Sequence, residues 1–312
     1  MSSDSLWAIT SYFNPAAYRR RLETYRVFRQ RLTVPLATVE LSFDGRFELR
    51  PGDADALVQI HGGDVMWQKE RLLNLAARLL PGSCDAVAWL DCDVVFTRED
   101  WATQASRALH DVPLVHLYQA RADLPRDASP DRLPADLADT AAPSMVYKLM
   151  VEHVPAEDLL VPHPRQKRLA SQGLAWATRR DVLDRHGLYD VCILGSGDRA
   201  MMCAAMGTFD YGIRALLMND RQQAHYLAWA RPYHDSIQGR IGYIPGLALH
   251  LWHGEVRDRQ YGLREQGFAA FGFDPFTDIA LDEHGCWRWS SDKPAFHDFV
   301  RRYFASRNED GA

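Results

Sequence analysis

Over its first 119 residues the chain alternates short runs of β-branched and aromatic residues with stretches of helical period, and this alternation limits the fold more than any other feature. The runs "LWAITSYF", "PLATVELSF", "DAVAWLDCDVVF" and "VPLVHLYQA" predict strands. Between them, "NPAAYRRRLETYRVFRQRL", "DVMWQKERLLNLAARLL" and "TREDWATQASRAL" predict helices. In the first of these Tyr18, Leu22, Tyr25, Phe28 and Leu32 share one face, and Asn14 followed by Pro15 marks a helix start. "GRFELRPGD" is expected to pair beside the second strand. Strands that alternate with helices in this way build an α/β fold, a mostly parallel central sheet with helices on both faces. At 312 residues and 47% hydrophobic composition the chain has ample material for that core.

The texture changes between residues 120 and 168, where prolines 125, 130, 134, 143, 155, 162 and 164 interrupt any pattern. Such a stretch is either a lid or acceptor-binding insertion, or a surface excursion. Order resumes with "LAWATRRDVLDRHG", a strand and then a helix stopped by Gly187, followed by a short helix in "GDRAMMCAAMG" and a strand running into a loop in "GYIPGLALHLWHG". The tail "KPAFHDFVRRYFASR" is amphipathic, with Phe296, Phe299, Val300, Tyr303 and Phe304 as its docking face.

Composition narrows the function. A net charge of −5 lacks the basic surplus of a general nucleic-acid binder, although "YRRRLETYRVFRQR" and "HPRQKR" are local basic patches. Five cysteines form no CxxC pair, which suits free thiols in a reducing compartment. No apolar run approaches the roughly 20 residues of a membrane span, and "MSSDSLWAITSYF" has no signal-peptide pattern. A cytoplasmic protein is expected.

Three motifs carry chemistry. "AVAWLDCDVVF" sets Asp91 and Asp93 one residue apart inside an apolar run. On a strand, residues two apart point to one side, so both carboxylates would face one ion at the carboxyl end of a parallel strand, where ligands collect. Hard cations such as Mn²⁺ or Mg²⁺ suit such oxygens. The alternative is a turn-forming or salt-bridged pair. "LHLWHG" offers His250 and His253 as further metal ligands, or as structural histidines. Nearby Arg257, Arg259 and Arg264 either bind diphosphate or form a solvated helix face, Arg264 above all. In "GSGD", Asp198 opens a short helix, either as an N-cap or as a carboxylate that takes a proton from a hydroxyl.

Together these segments resemble a GT-A fold glycosyltransferase, and most of all the β-1,4-galactosyltransferase type. "WQKERLLN" at 67–74 followed by "VAWLDCDVVF" at 87–96 matches that family's order, "GLAWATRRDVLDRHGLYD" with "GSGD" is similar to its glycine-rich unit, and "HLWHG" to its metal-binding histidine segment. The likeness touches about residues 5–40, 60–100 and 170–265. The resemblance implies one catalytic domain over 1–312: a nucleotide-binding half at 1–119, the insertion or lid at 120–168, and an acceptor half with the tail at 169–312. It implies Asp93 as direct metal ligand, Asp91 on the ribose or on the metal through water, and His253 or His250 completing the set. Thr10, Tyr12 and Glu40 would line the nucleotide pocket, with Lys69, Arg71 and Arg257 as its basic positions, and Asp198 would be the general base of an inverting transfer. The donor would be a nucleotide-diphosphate sugar, a UDP-sugar, with Mn²⁺ or Mg²⁺; the acceptor would be a hydroxyl on a glycan or small molecule. The family's longer acidic cluster is reduced here to Asp198 followed by Arg199, and its aromatic acceptor platform is replaced by "DVCIL". Alternatives are a transferase acting on modified nucleic acid and a non-catalytic sugar- or partner-binding module with a degenerate site. Nucleotidyl transfer is disfavoured because "TSYFNPAAYRR" lacks a glycine-rich loop.

Overall fold

A computed structural model describes residues 5–160 and 170–311. In chain order the elements are β1 (Leu6–Phe13), α1 (Arg19–Arg31), β2 (Leu36–Ser42), β3 (Ala56–His61), α2 (Lys69–Ala77), β4 (Ala86–Leu90), β5 (Val94–Phe96), α3 (Trp101–Asp111), β6 (Leu114–His116), β7 (Ala120–Asp123) and β8 (Ala142–Pro143). There follow α4 (Met145–Met150), α5 (Ala156–Leu160), β9 (Ala175–Arg179), α6 (Arg180–His186), α7 (Gly197–Met206), α8 (Phe209–Ala215), α9 (Asp220–Ile237), β10 (Ile241–Tyr243) and β11 (Leu247–His250). A 3₁₀ turn at Val256–Arg259, α10 (Leu263–Ala269), β12 (Ile279–Leu281), β13 (Trp287–Trp289) and α11 (Pro294–Ser306) complete the order.

The main sheet runs β10-β6-β9-β4-β1-β2-β3, and all its pairings are parallel except those of β9, which is antiparallel to both neighbours. The mostly parallel α/β architecture read from the alternation is therefore present. Strand alternation divides the core in two. Ile9, Phe13, Val87 and Trp89 join Leu72 and Leu73 of α2 on one face. Leu6, Ala8, Ala86 and Ala88 join Phe28 of α1 and Trp101 of α3 on the other. Trp89 stacks on Trp176 at 6.4 Å across the β4–β9 pair, and His116 stacks on the same indole at 4.1 Å. Aromatic pairs of this kind contribute about 1 kcal/mol beyond their buried area.

Several local expectations are corrected. Helix α1 begins at Arg19, not at Pro15: Asn14 braces the preceding turn, accepting from the Tyr18 N–H at 2.9 Å and donating to the Tyr18 carbonyl at 2.9 Å. "GRFELRPGD" forms no strand; β2 pairs instead with β3, and the intervening loop folds back over it. Helix α2 starts at Lys69, leaving 64–68 as the approach to it. Most consequentially, "DAVAWLDCDVVF" is not one strand. It breaks at Asp91-Cys92-Asp93 into β4 of the main sheet and β5 of a second sheet, ordered β5-β11-β7-β8. The Pro-rich segment contributes β7, β8, α4 and α5, while its "HPRQKR" stretch lies outside the described residues. Gly187 caps α6 with φ 60°. Phe296, Val300, Tyr303 and Phe304 of α11 are buried as their spacing predicts, and Phe299 is only partly covered. Among the described residues no helix is long and apolar enough to cross a membrane.

Candidate active site and cation centre

The break after β4 creates the site. The Asp91 N–H donates to the Leu174 carbonyl at 2.7 Å, which ends the strand, and the Val94 N–H returns to the Asp91 carbonyl at 3.3 Å, which closes a turn. The chain then enters the second sheet, where β5 runs antiparallel to β11 and the Leu251 N–H donates to the Asp93 carbonyl at 2.8 Å. The two acids are therefore not side by side on a strand face. Each belongs to a different cluster.

Asp93 meets the histidines. Its Oδ2 lies 2.9 Å from His253 Nε2 and its Oδ1 3.9 Å from His250 Nε2, and the two imidazole Nε2 atoms are 3.2 Å apart. Two of these three separations are close to the roughly 3 Å between ligand atoms around a single ion at metal–ligand lengths near 2.1 Å, and the third is longer. Asp93 Oδ1 is buried and has no hydrogen-bond partner. His253 Nε2 also receives the Arg259 guanidinium at 2.9 Å, so three groups converge on one nitrogen that can only donate or accept. An orphaned carboxylate oxygen beside two imidazole nitrogens fits a divalent cation such as Mn²⁺.

The parallel register of β11 on β7 sets His250 opposite Asp123, and Asp123 Oδ1 accepts from His250 Nδ1 at 2.7 Å. That bond turns Nε2 toward Asp93, the usual arrangement behind a metal-bound histidine. Burial holds His250 down to about 4, against the nearby Asp93 and Asp123 carboxylates, so its ring is neutral at pH 7. Burial alone would raise Asp93, but His253 and then His250 outweigh it and hold the carboxyl below the ordinary range.

Asp91 belongs to the other cluster. Lys69 Nζ, at the start of α2, is 2.6 Å from Asp91 Oδ1 and 3.4 Å from both oxygens of Asp198. Burial pushes Asp91 up to about 6 and its neighbour Glu70 up to about 8, with the Lys69 ammonium opposing both shifts. Asp198 is in the first turn of α7, behind Gly195 (φ 94°) and Ser196 (φ 73°), whose left-handed backbone makes the tight entry. Ser196, not Asp198, occupies the N-cap position. A Cβ on Gly173 would come within 2.5 Å of Asp198 Oδ2, and one on Gly197 within 2.5 Å of Glu70 Oε1. Lys69, Glu70, Trp89, Tyr189 and Asp198 line a narrow cleft. Beside it, sharing Tyr189, a mostly apolar hollow is lined by Val191, Ile193, Leu194, Phe268 and Phe273.

Other candidates are placed elsewhere. Thr10 is fully buried and its hydroxyl donates to the Leu90 carbonyl at 2.7 Å, tying β1 to β4. Tyr12 donates to Glu48 Oε2 at 2.6 Å. Glu40 is buried and accepts from the Glu48 N–H at 2.6 Å and Gln59 Nε2 at 2.7 Å, which anchors the 44–53 loop. Arg71 donates to the Gly285 carbonyl at 2.6 Å and pairs with Asp190 at 3.1 Å, not with Asp91, Asp93 or Asp198. Arg257 is exposed, 3.7 Å from Asp258. Arg264 is no solvated face: it is buried, donating to Ser196 Oγ at 2.7 Å and pairing with Glu265 at 3.0 Å. Asp123 and Glu70 are the site residues that the sequence reading missed. Asp123 lies in the Pro-rich segment, and no spacing links it to "HLWHG".

No protein-family model matches the chain, and no curated protein matches it in sequence. Among solved structures it is similar to S. aureus TarS 1–349 in complex with UDP-GlcNAc, at TM-score 0.40 and 10% identity over 80% of this chain and 58% of that one. The same fragment with UDP matches at TM-score 0.40 and 10% identity over 99% and 72%. A putative nucleotide-diphospho-sugar transferase from Desulfovibrio desulfuricans G20 matches at TM-score 0.35 and 12% identity over 80% and 82%. The chain thus spans little more than half of the first of these. At such scores neither activity nor ligand transfers from them to this chain.

Proposed function

We propose that the chain is a metal-dependent glycosyltransferase of the GT-A type that moves a sugar from a nucleotide-diphosphate donor, a UDP-sugar, to an acceptor hydroxyl with inversion. The observation that carries this reading is the Asp93–His250–His253 cluster at the carboxyl end of β4, with Asp93 Oδ1 buried and unsatisfied. Asp93, His250 and His253 would hold Mn²⁺, which when bound neutralises charge on the leaving diphosphate. Arg259, already against His253, offers its guanidinium to a phosphate oxygen. Asp198 takes the proton of the acceptor hydroxyl, which attacks the anomeric carbon from the face opposite the diphosphate. Lys69, 3.4 Å from both Asp198 oxygens and 2.6 Å from Asp91, holds that base in place. The apolar hollow beside Tyr189 would take the body of a glycan or small-molecule acceptor.

Calorimetric titration of UDP and then GDP, each with and without Mn²⁺, tests the donor half. UDP binding that needs Mn²⁺ and is lost in Asp93→Ala is the expected result. Tighter binding of GDP changes the donor, and no binding of either nucleotide by the folded protein overturns the transferase reading in favour of a binding module.

A further inference from the structure

The described chain ends against the cation cluster. After α11 the backbone turns at Arg307, and residues 308–310 run back across the start of α1 and the loop after β11. Asp310 accepts from the Arg19 N–H at 3.2 Å and the Arg20 N–H at 2.8 Å, so α1 is capped by a residue 290 positions away. Tyr18 Oη accepts from the Asn308 N–H at 3.0 Å. Gly254, directly after His253, has φ 88°, and a Cβ there would lie 2.9 Å from the Asn308 carbonyl oxygen and 3.0 Å from that of Arg307. The tail and the histidine loop therefore touch backbone to backbone.

Glu309 is the centre of this contact. It is 1% exposed, and its carboxylate pairs with Arg21 Nε at 2.7 Å and Arg307 Nε at 2.5 Å. Its Oε1 also faces His253 Nδ1 at 3.9 Å. His250 and His253 thus each have a carboxylate on the Nδ1 side, Asp123 for the first and Glu309 for the second, while both Nε2 atoms face Asp93.

We infer that Glu309 is a positioning residue for His253, and that the tail at 308–310 acts as a strap completing the cation centre. This rests on the proposed cation role of the cluster. The oxygen that faces His253 Nδ1 at 3.9 Å, beyond hydrogen-bond length, is the one that accepts from Arg307 Nε at 2.5 Å and Arg21 Nη2 at 2.9 Å, so the two arginines hold it on the Nδ1 side of the ring, and a shift of about 1 Å would close the gap. A carboxylate on Nδ1 fixes the tautomer that leaves Nε2 free to ligate, and loss of such partners costs about 10- to 100-fold in metal affinity. The Pro-rich segment and the last residues after α11 supply the two acids, Asp123 and Glu309.

The test is the Mn²⁺ dissociation constant of the full chain, read from free-Mn²⁺ electron paramagnetic resonance, together with the melting temperature of the metal-free protein. The proteins compared are wild type, Glu309→Gln and Glu309→Asp. Glu309→Asp keeps the negative charge but withdraws the carboxylate from Arg21 and Arg307 as well as from His253, so it is expected to melt somewhat below wild type and, while folded, to bind Mn²⁺ several-fold more weakly. Glu309→Gln is expected to lose about 10-fold or more. Unchanged Mn²⁺ affinity in folded Glu309→Asp overturns the inference even if Glu309→Gln does not fold. Wild type that binds no Mn²⁺ overturns the cation centre itself, a failure distinguished by the wild-type measurement alone.

Discussion

Asp91 and Asp93, one residue apart, answer to different partners: Asp91 Oδ1 lies 2.6 Å from Lys69 Nζ, and Asp93 Oδ2 lies 2.9 Å from His253 Nε2. The turn between them divides an acidic tripeptide between an aspartate–histidine cluster on the second sheet and a lysine-bridged carboxylate cluster beside α7. Substitutions at the two acids should therefore fail differently.

Lys69→Met should destabilise the fold. It leaves Asp91, Glu70 and Asp198 without the ammonium they share, and removing one partner of a largely buried pair costs about 3 kcal/mol. Urea unfolding should show the loss. Asp91→Asn in the same background should recover part of it, because the two sites are coupled.

Asp198→Asn should separate chemistry from donor binding. With the proposed general base gone, transfer is expected to fall by about 10²- to 10⁴-fold. Calorimetry should give wild-type affinity for UDP with Mn²⁺. Retention of full transfer activity would remove Asp198 from the mechanism.

Gly173→Ala should displace the same carboxylate from a distance. The added methyl meets Asp198 Oδ2 at 2.5 Å, and the partly exposed Asp198 side chain has room to yield. Misplacing a reacting group by about 1 Å can cost 10²-fold, so the rate should fall by at least tenfold while the melting temperature changes little.

His116 should make stability depend on acid. Burial lowers it to about 3 from its ordinary 6.5. Between those values the unfolded chain binds a proton that the folded chain does not, so stability is full above pH 6.5 and falls as pH drops toward 3. The loss is about 1.4 kcal/mol per pH unit within that window. Urea unfolding at pH 7 and pH 5 should show His116→Gln losing about 2 kcal/mol less than wild type between the two, since the other groups titrate alike in both proteins.

Most of the frame was legible because it rests on local periodicity. The strands at "LWAITSYF" and "PLATVELSF" and the tail helix with its Phe296, Val300 and Tyr303 face repeat at intervals that a single segment carries by itself. The 18-residue α9 was missed: it contains Pro232, a helix breaker on any local reading, and only the capping box of Asn219 and Gln222 marked its start. The break at Asp91 was missed for the opposite reason. Its flanks are apolar on both sides, so the local pattern reads as one continuous strand, and only the arrival of β11 beside Val94–Phe96 shows that a second sheet begins there.

The sequence by itself determined the α/β class and the presence of Asp91, Asp93, His250, His253 and Asp198, because residue type and short-range spacing are local properties. Tertiary structure alone decided which of them meet. His250 acquires Asp123 through the register of two parallel strands, Lys69 joins Asp91 to Asp198, which is 129 positions from the lysine, and Glu309 comes within 3.9 Å of His253 as the tail folds back over α1. Each of these contacts closes a long loop, whose ordering entropy is offset by the burial of the whole core and not by any pattern within the residues that touch.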